Sequence, residues 1–300
     1  MSTFKRALLQ LHLFVFLAGL TGPIGYMIEL NGLVLVFYRM SITVLALLVI
    51  GLFAKPSQKV SSSTKITLLG IGSIIALHWV CFYASIKLAN VSIALVCFSC
   101  TSLFTSLLEP VISSKKMEWK NLLLGTLSLF GILLIFHFDI QFRTGILVGL
   151  LSAFLAAIFS IINKNVTQNI DTFTIQFYEM LGGVIILSTI ILIYNLYSHT
   201  SYIWPQKMDW FWLTILALVC TVGSNHLMLS ALKHISAFTL NVTLNMEPVY
   251  GILLAFVFFK EQKQLGISFY IGFSLIALSV LIQMYRITKQ QRNSNTLATH

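Results

Sequence analysis

Arg39, His78, Glu109, Glu179, His226 and Glu247 stand inside long apolar stretches of a 300-residue chain. On insertion scales an ionisable group in a lipid-crossing helix costs about 2.5–3.5 kcal/mol, so each needs a partner or a wet cavity. In that setting carboxylates and imidazoles move protons or hold a charged solute. Glu247 precedes Pro248, which lacks an N–H and leaves the carbonyl four residues earlier unpaired. On a helix, Thr243, Glu247 and Tyr250 share one face, and Asn241, Asn245 and Pro248 share another. The Glu247 face supplies either an acceptor for a substrate amine or a proton carrier. A structural hydrogen bond into the kinked backbone is the other reading of the same residue.

His78, Cys81, Phe82 and Ser85 form a stripe, with Trp79 and Tyr83 beside it. Asn225 and His226 fall at an equivalent depth later in the chain. Together they would line an amphipathic pocket with an imidazole for proton relay; a satisfied interhelical histidine is the plainer reading. No His pair stands at i, i+4, so no metal site is expected. Glycine-flanked serines and paired aspartates are missing, which argues against an intramembrane enzyme and leaves no catalytic residue to name. A Walker-type glycine loop is also missing, so this chain does not draw on ATP and no cofactor is expected.

The elements that must position these groups follow from composition. Hydrophobic residues make up 57% of the chain and charged residues 9%, too few ionised groups to cover a soluble surface. With about 20 apolar residues per crossing, the sequence divides into ten spans at 8–28, 33–53, 66–88, 92–112, 121–137, 144–164, 173–194, 210–232, 236–259 and 265–285. The polar tail 286–300 is expected to fray. With the N-terminus in the cytoplasm, thirteen of the 19 Lys and Arg fall on the cytoplasmic side. Only Lys87, Arg143, Lys207, Lys260 and Lys263 fall on the other. Both termini are then cytoplasmic, and the net charge of +10 reads as a topology signal and an attraction to anionic lipid rather than a nucleic-acid site.

The chain also repeats itself. Phe37-Tyr38-Arg39-Met40 is echoed by Phe177-Tyr178-Glu179-Met180. Ser85-Ile86-Lys87 is echoed by Ala231-Leu232-Lys233, and Leu107-Leu108 by Leu253-Leu254. Five spans per copy is an odd number, so the second copy enters the membrane upside down. Inverted repeats of this kind build secondary transporters, with a site between the halves. The fold expected is therefore an all-α membrane protein of ten transmembrane helices in two inverted five-helix repeats, 8–137 and 144–285.

Arg39 and Glu179 occupy matching positions in the two copies and should lie near opposite membrane faces. Each is expected to anchor its own half, Arg39 to carbonyls or to Glu29, and Glu179 to a Lys or to polar backbone. Glu109-Pro110, with Lys115 and Lys116 one to two turns on, reads as a gate or a surface ion pair. Gly19, Gly22, Tyr26 and Glu29 form a stripe on the first span that suits either close packing or a cavity wall. Trp204, Trp210 and Trp212 read as an interfacial belt without a binding role.

The chain resembles the EamA group of the drug/metabolite transporter superfamily. The five-plus-five layout, Phe37-Tyr38-Arg39-Met40, Ala231-Leu232-Lys233, Met246-Glu247-Pro248 and Lys260-Glu261 carry the resemblance. It implies a central cavity between helices of both halves and the movement of small metabolites, amino acids being the commonest suggestion. In the first half Thr101 and Ser102 stand where a Glu-Pro would align, and a Glu-Pro occurs lower, at Glu109-Pro110. The candidate substrate contacts are His78, Trp79, Phe82, Tyr83, Thr101, Ser102, Asn225, His226, Asn245, Glu247 and Tyr250. Glu247 and His78 are candidates for proton coupling, and Arg39, Glu109, Pro110, Glu179 and Pro248 are read as structural or gating. The partners expected are a small-molecule substrate, protons and membrane lipid, with no nucleic acid. A channel or lipid scramblase on the same fold is the competing function. A nucleotide-sugar carrier would need several cavity Lys or Arg for phosphates, whereas only Arg39 is clearly inside a span.

Overall fold

The computed structural model describes residues 3–54, 60–113, 119–166, 170–198, 204–232 and 246–298. Among them every regular element is helical. The elements are α1 (Thr3–Met27), α2 (Gly32–Ala54), α3 (Ser62–Leu88), α4 (Val91–Phe98), α5 (Thr101–Ser113), α6 (Trp119–Phe138), α7 (Arg143–Val166), α8 (Thr172–Ser198), α9 (Lys207–Thr214), α10 (Ser224–Leu232), α11 (Glu247–Phe259) and α12 (Ile267–Ala298). A π-helix, Ile215–Gly223, joins α9 to α10.

Seven stretches among the described residues are long and apolar enough to cross a membrane. Three shorter apolar helices, Leu122–His137, Glu247–Phe259 and Ile267–Ile282, accompany them. Their side chains are apolar all round, as a helix buried in lipid and protein requires. Polar residues cap their starts: Asn31 Oδ1 accepts from Val34 N at 3.0 Å at the start of α2, and Asn90 Oδ1 accepts from Ile93 N at 2.8 Å at the start of α4. Asp171 does the same for α8, accepting from Thr174 N at 3.0 Å and from its hydroxyl at 2.6 Å.

Three features differ from the sequence expectation. The fourth span is two helices, broken at Ser99 and Cys100. The eighth carries the π-helix. The tail expected to fray continues as helix to Ala298. The first part of the ninth span, including Asn245, lies outside the described residues.

Contacts between the halves come in reciprocal pairs. α3 rests on α7, and its counterpart pairing, α1 on α10, is also made. α3 on α8 is matched by α2 on the π-helix, and α4 on α7 by α1 on α11. α2 meets α8 and α6 meets α12, like with like. A two-fold relation between two copies generates this pattern, because a contact of i with j requires one of j with i. Two glycine crossings set the closest approaches. A methyl group on Gly72 of α3 would overlap the Glu179 carbonyl of α8, and one on Gly182 would overlap the Leu69 carbonyl. Gly131 and Gly272 meet backbone to backbone where α6 crosses α12.

The chain turns alternately at two ends of the bundle. The far end, where α1 stops, is bolted by polar contacts. Glu261 is buried and caps α4 from the other half: its carboxylate accepts from Val91 N and Ser92 N, each at 2.9 Å, and from Ser92 Oγ at 2.6 Å. Lys260, at φ 55°, makes the left-handed turn that brings Glu261 there. Asp209 accepts from Glu29 N at 2.9 Å and Gln206 N at 3.0 Å, and Gln206 Nε2 donates to Glu29 at 3.1 Å. Lys87 Nζ donates to the Tyr26 carbonyl at 3.0 Å and to that of Ile28.

A buried guanidinium between the halves and two nearby cavities

Arg39 is 4% exposed and lies where the two halves meet. Its position on α2, one to two turns in from Gly32, carries the side chain inward. Nε and Nη2 donate to Thr221 Oγ1 of the π-helix at 3.1 and 3.0 Å, and Nη1 donates to Tyr83 Oη of α3 at 2.7 Å. The guanidinium carbon lies 3.8 Å from the centroid of the Trp79 ring, a cation–π contact. Tyr83 in turn donates to the Thr21 carbonyl of α1 at 3.5 Å. The cluster joins α1, α2 and α3 of the first half to the π-helix of the second.

This corrects the expected anchorage of Arg39. Among the described residues it bonds neither carbonyls nor Glu29, whose carboxylate is engaged by Gln206 at the far end. The reason is the π-helix. A wider turn lets the Thr221 hydroxyl donate to Leu216 O, five residues back, at 2.8 Å while its lone pairs receive two guanidinium N–H groups. π-helical segments are rare and concentrate at functional sites.

Two cavities lie toward the near end. One cavity of about 620 Å³ runs among α1, α2, α8 and the π-helix to α10, with Gln176, Asn225 and His226 on its wall. A second, of about 570 Å³, lies between α2, α3 and α8, with Lys65 and Tyr178 on its wall. Both touch Leu47 and Phe173. Gln176 connects the first to the guanidinium cluster, since its Nε2 donates to the Thr221 carbonyl at 3.3 Å.

The residues expected from sequence fall into several separate surroundings. Trp79, Tyr83 and Glu247 gather around Arg39. Glu247 is half-buried at the start of α11, within electrostatic reach of the guanidinium. Its carbonyl meets Gly19 of α1, which accounts for that glycine as close packing. Pro248 takes the first turn of α11, where a missing N–H is harmless. Asn225 and the exposed His226 belong to the larger cavity.

His78 is elsewhere. It is buried, and its Nδ1 lies 2.9 Å from Ser152 O and 2.8 Å from Ser152 Oγ, while Ser152 Oγ donates to the His78 carbonyl at 3.0 Å. Phe82, Phe98 and Phe159 surround the ring. The two histidines therefore do not share one pocket wall. Thr101 and Ser102 are half-buried at the start of α5 and donate back across the break, to Phe98 O at 2.6 Å and Ser99 O at 3.2 Å. Tyr250 approaches His12 and Phe16 of α1.

Glu179 is buried on α8 and meets the Asn163 side chain; its Oε1 has no hydrogen-bond partner among the described residues. Its expected anchor, a Lys or polar backbone, is replaced by that amide. Glu109 and Pro110 lie half-buried within α5. Thr221, Gln176 and Ser152 were not expected from the sequence.

Comparison with known proteins agrees with this arrangement. One matching crystal structure of a protein superposes with a TM-score of 0.59 over 96% of this chain and 99% of its own, at 16% identity, a likeness of fold. No curated protein matches the chain. The model of the EamA-like transporter family matches twice, over residues 5–137 and 143–285. The chain thus belongs to the EamA-like transporter family and is an integral membrane protein, a transporter of the drug/metabolite type.

Proposed function

We propose that the protein is a secondary carrier that moves small zwitterions, amino acids first among them, out across the cytoplasmic membrane by alternating access. Its ten spans form two inverted repeats with both termini in the cytoplasm. The near end, with its two cavities, then faces the cytoplasm and the bolted far end faces outside. The observation that carries this reading is the polar cluster around Arg39, buried at the junction of the halves, one hydrogen-bonded residue away from a cavity. A site at the junction of two rocking halves is what alternating access requires. Substrate contacts are assigned to Trp79, Phe82, Tyr83, Thr101, Ser102, Asn225, His226, Asn245, Glu247 and Tyr250, with His78 behind them. Glu247 is the first candidate for proton coupling and His78 the second. Arg39, Glu109, Pro110, Glu179 and Pro248 hold or gate the halves.

Counterflow tests this. Proteoliposomes loaded with unlabelled amino acid should accumulate the labelled form transiently and saturably. Flux that rises linearly with concentration and shows no overshoot would identify a channel or scramblase instead.

A further inference from the structure

The smaller cavity is built differently from the one beside the guanidinium cluster. Leu47, Leu48 and Leu52 of α2 and Phe173 and Phe177 of α8 line about 570 Å³, a volume within the usual range of a ligand pocket. Among the described residues no carboxylate stands on its wall, and its one charged group is Lys65 of α3. Lys65 is half-buried, with Nζ 5.7 Å from the centroid of the Tyr178 ring. That contact steers the stem and leaves the ammonium its three donors. Among the described residues Nζ has no hydrogen-bond or ion-pair acceptor. The Thr174 hydroxyl on the same wall donates to Asp171 at 2.6 Å. Lys65 stands one turn into α3 from the near end, and Leu47 stands two turns before the end of α2, about 10 Å down the bundle. The charge is thus at the end of the bundle and the apolar wall runs inward from it.

The α2 wall continues onto the outer surface of the bundle. Leu48 is 48% exposed and Leu52 78%, and in a membrane that surface meets acyl chains. A soluble anion would need no hydrocarbon wall. A neutral lipid would leave the ammonium unpaired where a charge is costly. An amphipath with an anionic head answers both features. We propose that this cavity holds one acidic phospholipid of the cytoplasmic leaflet, its phosphate on Lys65 Nζ and an acyl chain along α2 against Phe173 and Phe177. A charge-assisted hydrogen bond fixes the head, and the negative surface potential of that leaflet supplies the ligand. α2 and α3 belong to the first half and α8 to the second, so the lipid lies in the seam between them. Leu47 and Phe173 also line the larger cavity, so lipid and solute share two wall residues. The choice of leaflet rests on the orientation given above; the site itself does not depend on what is carried.

Purified full-length protein, stripped of lipid in detergent, tests the site by thermal shift. The probes are dioleoyl phosphatidylglycerol, dioleoyl phosphatidylcholine and glycerol 3-phosphate. Ligands that bind the folded form raise its melting temperature. Phosphatidylglycerol should do so saturably. Phosphatidylcholine, with the same chains, and glycerol 3-phosphate, the head alone, should not. In K65A the phosphatidylglycerol titration should weaken about tenfold, as expected for one lost charge-assisted hydrogen bond. K289A, which removes an exposed lysine from the end of α12, should titrate like the native chain. The comparison of probes needs only the native chain, so a poorly folding variant does not blunt it. Equal stabilisation by the two lipids, or an equal loss in K65A and K289A, overturns the proposal. Full stabilisation by glycerol 3-phosphate also overturns it, in favour of a site for a free anion. Counterflow that persists while the lipids prove indistinguishable would keep the carrier and remove the lipid site.

Discussion

Ser152 shows how single residues share work here. Its hydroxyl and its carbonyl both reach His78, which sits sealed among three phenylalanines. Because the Ser152 carbonyl can only accept and Ser152 Oγ donates to the His78 carbonyl, Nδ1 carries the ring proton with both Ser152 oxygens as acceptors, the hydroxyl at 2.8 Å and the carbonyl at 2.9 Å. S152A therefore removes the hydroxyl's bond to the His78 carbonyl and one of the two acceptors, and leaves the carbonyl to orient the ring. Its expected cost is about 1 kcal/mol, read as a lower melting temperature, with the pH profile of exchange unchanged. Ser152 also marks what sequence reading passes over. Arg39 and Glu247 stand out in an apolar run because burying their charge is expensive. Ser152, Gln176 and Thr221 do not, because a neutral hydroxyl or amide is readily satisfied by its own helix. Thr43, Thr105 and Ser106 are satisfied in that way, each donating to the carbonyl four residues back. Nothing in the sequence separates such a residue from one that reaches across to another helix.

At the scale of elements, the π-helix Ile215–Gly223 is the device that reaches across. An α-turn would pair Thr221 with residue 217; the wider turn pairs it with Leu216 and turns its oxygen toward Arg39. Substituting T221V keeps the shape and strips the acceptor from two guanidinium N–H groups. The expected loss is about 1–3 kcal/mol of stability, the cost of leaving a buried donor unpaired. T221S should recover most of it, so a melting series of native, Val and Ser forms checks the assignment. The long apolar runs were legible because hydrocarbon thickness sets their length. The break at Ser99 and Cys100 and the π-turn were not. Neither carries a proline, and both answer to neighbours in the other half, α7 beside α4 and α5, and α2 beside the π-helix. Tertiary contact decides such local choices against intrinsic preference.

At the scale of the whole molecule, the carrier reading requires two arrangements related by exchanging the roles of the halves, a relation the reciprocal contacts allow. In the arrangement seen here, the far end is held by Glu261 against the start of α4 and by Asp209 against Glu29, while a cavity lies toward the near end. If the halves rock, these far-end bonds must part in each cycle, and a tether across them must stop transport without harming the fold. Ser92 and Glu261 supply the place, since their side chains meet at 2.6 Å from opposite halves. In a background with Cys81, Cys97, Cys100 and Cys220 replaced by alanine, the pair S92C and E261C should exchange substrate until a short reversible bis-thiol reagent bridges them. Counterflow should then cease and return on reduction. Ligand-induced thermal shift should survive the bridge, because the near end still admits solute to the cluster around Arg39. Exchange that continues at full rate with the bridge intact would show that the far end is a static wall, and the halves would then have to pass their solute by some route other than opening there.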